Sequence, residues 1–227
     1  MSQKIMPGRR DPVVCSNVYK LLSIGFRYPT PERFKIFQNG EFLDEIRDNI
    51  SSIPELNTAM TGSFSLIKHA MKITTLAEFE TEFTRIFDAA IPAPSCPPYE
   101  GIYYGEPRSA VMLEVSEFYN CFGLRMNQEE GKREFPDHIS AELEFLHFLT
   151  FKEANAIWNG NEKTMKGYLL AQRDFLERHL IRWVPEFCGK LQNSASIPFY
   201  AWLARITSCL IMSEHELLTG INEKKIT

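Results

Sequence analysis

An all-α fold is predicted by three observations. Apolar residues recur at helical spacing in one segment after another, the polar–apolar alternation of strands is missing, and helix-start signals precede the apolar runs. The 227 residues fit one domain with a sizeable core. A composition of 44% hydrophobic and 24% charged residues is that of an ordinary globular protein, and 17 Phe imply a core built largely from aromatic rings.

Asp11-Pro12 predicts an N-cap with proline at the first helical position, after which Val14, Val18, Leu21 and Leu22 share a face. Thr30-Pro31-Glu32 repeats the signal for a short helix carrying Phe34 and Phe37, and a further segment from Phe42 to Ile50 ends near Pro54. The stretch from Glu55 to Lys72 is expected to be helical but weakly patterned around Gly62. Thr75 and Glu78 form a capping box that opens a helix with Leu76, Phe79, Phe83, Ile86 and Phe87. From Ile91 to Gly105 four prolines and two glycines impose a long loop, and its three tyrosines need something to pack on.

Glu106-Pro107 restarts a helix through Val111, Val115, Phe118, Tyr119 and Phe122, with Gly123 just past its end. A charge-rich connector, 127–134, follows, and 127–137 is expected to act as a hinge. The next helix begins at His138 with Asp137 as N-cap, turns Ile139, Leu143, Leu146, Leu149 and Ala154 inward, and stops at Asn159-Gly160. A helix with Tyr168, Leu169, Phe175 and Leu176 is expected from about Thr164 to Leu180. A separate short one with Phe187 and Leu191 should follow Trp183-Val184-Pro185. Ile197-Pro198 opens the last, with Phe199, Leu203, Ile206 and Leu210 on its buried side. The result is roughly eight to ten helices in a single bundle. This domain spans 12–218, between a polar N-terminal tail at 1–11 and a C-terminal tail at 219–227, without internal repeats.

A net charge of −4 without a basic stripe argues against nucleic acid as a partner. Five widely spaced cysteines (Cys15, Cys96, Cys121, Cys188, Cys209) without a CxxC pair read as free thiols of a reducing compartment, not as a disulfide framework or zinc site. No apolar run reaches the roughly 18 residues of a membrane span. Arg9-Arg10 resembles an export signal, but Asp11-Pro12, Asn17 and Lys20 deny it a hydrophobic region, so it reads as a polar tail and the protein as cytoplasmic. HExxH, P-loop, GxGxxG and GxSxG motifs are missing, so no catalytic residue, metal ligand or cofactor is assigned. His147, His179 and His215 stand alone in helical stretches. The alternatives are a hydrolase or metal-dependent enzyme using His138 with Asp137 or Glu142, which share a helix mouth, and a structural subunit of a redox complex.

The most informative stretch is Glu134-Phe135-Pro136-Asp137-His138, which runs straight into the amphipathic helix. Polar side chains gathered at a helix N-terminus, in a chain poor in catalytic signals, read as a recognition site. The loop residues Pro98, Tyr99, Tyr103 and Tyr104 have the make-up of an adhesive surface for a peptide.

From about Val14 to Leu217 the chain resembles the TorD/DmsD/NarJ family of redox-enzyme maturation chaperones. The resemblance is carried by Glu134, Pro136-Asp137-His138, Glu142-Leu143 and Phe145-Leu146. Phe83 and Phe87, Pro98-Tyr99-Glu100, Phe118-Tyr119, Phe122-Gly123-Leu124, His179-Leu180, Trp183 and Phe199-Tyr200 support it. One departure is that Phe135 stands where many members carry the proline, which here abuts Asp137. The resemblance implies a non-enzymatic protein that binds the twin-arginine signal peptide and apo form of a molybdopterin-containing oxidoreductase, assists cofactor insertion and proofreads export. It is also compatible with a monomer or a domain-swapped dimer. A twin-arginine peptide asks for carboxylates beside an apolar groove. The residues expected to meet it are Asp137, Glu100, Glu134 and Glu142 on the acidic side, and Phe87, Pro98, Tyr99, Tyr103 and Pro136 on the apolar side. His138 is expected to weaken binding when protonated between neutral and mildly acidic pH.

Overall fold

The computed structural model describes residues 9–60, 62–89, 93–103, 105–126 and 134–223. Among the described residues every regular element is a helix and no sheet forms, as the periodicity predicts. In chain order the helices are α1 (Pro12–Gly25), α2 (Pro31–Gln38), α3 (Glu41–Ile50), α4 (Pro54–Met60), α5 (Ser63–Ile73) and α6 (Leu76–Phe83). After them come α7 (Arg108–Cys121), α8 (Ile139–Trp158), α9 (Glu162–Phe175), α10 (Ile181–Ser194) and α11 (Pro198–Glu223).

Most boundaries follow from local chemistry. The Asp11 carboxylate accepts from the Val13 N–H at 2.9 Å and caps α1, with Pro12 in its first turn. Thr30 caps α2, and Thr75 with Glu78 completes the capping box of α6. Gly123 turns the chain out of α7 at φ +74°, a conformation costly for any residue with a Cβ. α6 continues as a π-helical turn through Asp88, so Ile86 and Phe87 belong to the same helical run, as expected. Two expectations need correction. No break separates α9 from α10: a π-helical turn, Leu176–Leu180, joins them, and Pro185 lies inside α10 one turn downstream. α11 runs past the expected start of the C-terminal tail, to Glu223.

α8 is the central strut, packed between α1 and α9, while α10 and α11 pair alongside and α11 also meets α4 and α5. The aromatic core falls into two clusters. Phe37, Phe79, Phe199 and Tyr200 pack between α2, α6 and α11, with Phe79 stacked on Tyr200 at 4.9 Å. Phe118, Tyr119, Phe145 and Phe175 fill the space between α7, α8 and α9. The second cluster is the floor on which the mouth of α8 is built.

Arg9 and Arg10, expected in a solvated tail, are docked on the bundle. The Arg9 side chain is 1% exposed and ion-paired with Glu153 of α8 and Glu214 of α11. Glu153 is fully buried, whereas the neighbouring Ala154, expected inside, is only half-buried.

Candidate functional site

The loop before α7 and the segment before α8 are joined by their backbones. The Glu100 N–H donates to the Asp137 carbonyl at 2.8 Å and the Ile139 N–H to the Pro98 carbonyl at 2.9 Å, an isolated antiparallel bridge between Tyr99 and His138. This pairing brings Pro98, Tyr99, Glu100, Glu134, Pro136, Asp137, His138 and Glu142 to one place, as the sequence suggested. Phe87 is elsewhere, packed in the core against Phe83 at 5.0 Å and Tyr200 at 5.3 Å. Tyr103 lies against Trp183 at 5.4 Å, and its hydroxyl donates to the Pro97 carbonyl. Tyr104 and residues 127–133, hence most of the expected hinge, lie outside the described residues.

Inside this cluster most polar groups are already engaged. The Asp137 carboxylate is fully buried and accepts from Arg108 Nε at 2.7 Å and Nη2 at 3.0 Å, with the Gly101 N–H at 3.4 Å. The Arg108 guanidinium in turn lies over the rings of Tyr99 (4.1 Å) and Phe135 (4.8 Å). Gly101 permits the approach, since a Cβ there would meet Arg108 Cγ at 2.6 Å and Cα at 2.9 Å. The N-cap of α8 is therefore not Asp137 but His138, whose Nδ1 accepts from the Ser140 N–H at 3.1 Å.

Glu100 and Glu142 are fully buried. Glu100 pairs with His179 Nδ1 at 2.9 and 3.1 Å. Burial, and next the charge of Glu100, push the Glu142 carboxyl well above the usual carboxylate range, which favours its protonated form. Its Oε2 accepts from Trp183 Nε1 at 3.2 Å. Neither group presents a negative charge at the surface.

The expectation that His138 tunes binding near neutral pH is corrected as well. Burial, with Arg27 and Arg108 adding to it, pushes its imidazole down to about 3, so it stays neutral through the physiological range. The consequence is for stability. The folded form resists a proton that the unfolded chain takes up near pH 6.5, so stability present above that value is lost as pH falls. Between pH 7 and pH 5 this amounts to about 2 kcal/mol. His138→Asn keeps a capping side chain and should remove that part of the slope in urea titrations at the two pH values. An unchanged slope would mean His138 does not carry it.

What remains open is a groove beside the cluster, about 1030 Å³ in volume, between the α1–α2 connector with the start of α2, the end of α7 and α8. Its apolar wall includes Tyr28, Leu124, Met126, Phe145, Phe148 and Phe151. Glu134, Glu144, Arg27, Arg33 and Arg125 supply its charges. Arg27 Nη2 pairs with Glu144 Oε2 at 2.5 Å. Glu134, 39% exposed, stands 3.1 Å from His138 Nδ1, and burial raises its carboxyl although Arg27 and Arg33 pull the other way. Sequence reading missed Arg108, Arg27, Arg33 and Glu144, which no local motif marks.

Known proteins share this chain's pattern. The family model described as nitrate reductase delta subunit matches residues 53–189. A perchlorate reductase assembly chaperone protein from Dechloromonas aromatica is 34% identical, over 91% of this chain and 91% of the relative. A chlorate reductase assembly chaperone protein from Ideonella dechloratans is 36% identical over 50% of this chain and 57% of its own length. A chaperone protein TorD from Vibrio cholerae is 26% identical over 62% of each chain.

Proposed function

Because the chain belongs to the nitrate reductase delta subunit family, the TorD/NarJ group of redox-enzyme assembly chaperones, we propose that it acts in the cytoplasm on the precursor of one molybdopterin-dependent oxidoreductase. It holds the apoenzyme and its twin-arginine signal peptide until the cofactor is in place, and so delays export. The observation that carries this reading is Glu134: a partly buried carboxyl on the wall of a long aromatic groove, with its charge disfavoured by burial.

An incoming guanidinium relieves that penalty, and the apolar stretch that follows a twin arginine, folded as a helix, finds Phe148, Phe151 and Tyr28 beside it. Glu144 supplies a second carboxylate by exchanging Arg27 for the ligand's arginine. Tyr99 and Pro136 are not among the groove's lining residues, and Asp137, His138, Glu100 and Glu142 hold its wall in shape from inside.

Calorimetry with synthetic twin-arginine signal peptides of molybdoenzymes from the same genome tests this, each with a twin-lysine control. Glu134→Gln should weaken binding by roughly tenfold, the low end for a hydrogen bond to a charged group at a half-exposed site. Equal affinity of wild type and Glu134→Gln for a peptide that does bind would remove the groove from peptide recognition.

A further inference from the structure

The bundle holds a second acidic site that the groove does not use. Arg9 Nε and Nη2 donate to the two oxygens of Glu153 at 3.1 and 3.0 Å, Nη1 to Glu214 Oε2 at 2.7 Å, and Nη2 also to Gln172 Oε1 at 3.1 Å. Arg10 Nη1 donates to the other oxygen of Glu214 at 2.6 Å and to Ser213 Oγ at 3.2 Å, while its Nη2 reaches Glu55 at 3.0 Å. One fully buried carboxylate, Glu214, thus reads two consecutive arginines at once. We propose that this slot is a receptor for adjacent arginines, filled in the free chaperone by its own Arg9-Arg10. On the reading of the client given above, the twin arginine of the client's signal peptide meets the groove while the slot is filled, and exchanges into the slot once Arg9-Arg10 leave it.

Three features separate this from a permanent anchor. First, the acceptors are planar and paired, a match for guanidinium forks that two lysine ammonium groups cannot reproduce. Second, the walls come from α4, α8, α9 and α11, whereas the occupant comes from the segment just outside α1. The Asp11 carboxylate closes α1 without help from anything upstream, so residues 9 and 10 can leave with no helix unwound. Third, an empty slot leaves Glu153 and Glu214 buried with their cation partners gone, a state that strongly favours uptake of another guanidinium pair over vacancy. Burial alone raises the Glu214 carboxyl, and the two arginines more than reverse this.

The test uses the full chain carrying Arg9→Ala and Arg10→Ala, with the blocked dipeptide arginyl-arginine as probe and lysyl-lysine as control. The arginine dipeptide should raise the melting temperature of the variant by about 2–4 °C at about five times its Kd. Wild type should not respond, nor the variant to lysine. No shift overturns the slot. Should the alanine variant not fold, Arg9→Lys with Arg10→Lys keeps the charge and takes its place. In a second arm the signal peptide should bind the variant at least about tenfold more tightly than wild type, and Glu214→Gln should cancel that gain. A peptide that binds both proteins equally, through Glu134, overturns the slot and leaves the groove reading intact. Dipeptide rescue with no signal peptide binding to either protein keeps the guanidinium receptor and overturns the signal-peptide reading.

Discussion

Replacing Arg9 with alanine in the full chain is expected to lower the unfolding free energy by about 3–5 kcal/mol, the range for breaking a buried ion pair by deleting one partner. The magnitude comes from what is left behind. Glu153 and Glu214 are fully buried, and without Arg9 the first keeps only the neutral Gln172 amide at 2.9 Å. Urea unfolding at pH 7 measures the loss. Adding Glu153→Gln should recover part of it, because the amide removes the orphaned charge without removing the hydrogen bonds. The pH dependence has a definite sign. In the wild type Arg9 and Arg10 outweigh burial and hold Glu214 below its usual value, so its contribution is present above about pH 4.5 and lost as pH falls through the folded value. In the variant, buried carboxylates short of a cation take up protons more readily. The gap between variant and wild type should therefore narrow as pH falls from 7 toward 5. A loss under about 1 kcal/mol would show that Arg9 is a surface residue in solution, since exposed pairs are worth no more than that.

This pair marks the limit of what the sequence made legible. Helix starts were readable because caps act within three residues: Asp11, Thr30 and Thr75 bond N–H groups of their own first turns. Arg9 and its partners lie 144 and 205 residues apart, and no local periodicity spans that distance. A trace did exist. Glu153 follows Leu146 and Leu149 on the apolar stripe of α8, and Glu214 follows Leu203 and Leu210 on that of α11. A charge on a buried stripe needs a partner, and it is Glu153, not the half-buried Ala154, that lies on that stripe.

Pro185 misled for a different reason. With Trp183 and Val184 it predicts a gap between a helix ending near Leu180 and a short one after it, but the π-helical turn at Leu176–Leu180 shifts the hydrogen-bond register just upstream, and the run from Glu162 to Ser194 continues through it. At the mouth of α8 the structure brings the expected residues together, but His138, not Asp137, caps the helix. Two adjacent polar residues compete for the cap there, and Arg108, from a helix with no motif, takes the carboxylate.

That competition sets the second large effect. Arg108→Ala is expected to cost about 3 kcal/mol, the low end for a broken buried pair because the Arg108 side chain is 29% exposed and water can partly replace it. Packing over Tyr99 and Phe135 is lost with it. Asp137→Asn should also destabilise, since a neutral amide cannot accept two charge-assisted bonds from one guanidinium. In the double variant Arg108→Ala with Asp137→Ala, neither charge is orphaned, so its destabilisation should fall at least about 1 kcal/mol short of the sum of the single alanine variants. The same geometry predicts what Asp137→Asn does to peptide binding. At temperatures where the variant is fully folded, signal-peptide affinity should stay within about threefold of wild type, because Asp137 is fully buried and does not line the groove. A tenfold loss of affinity with unchanged stability would place the carboxylate against the ligand and reverse the division of labour between Asp137 and Glu134.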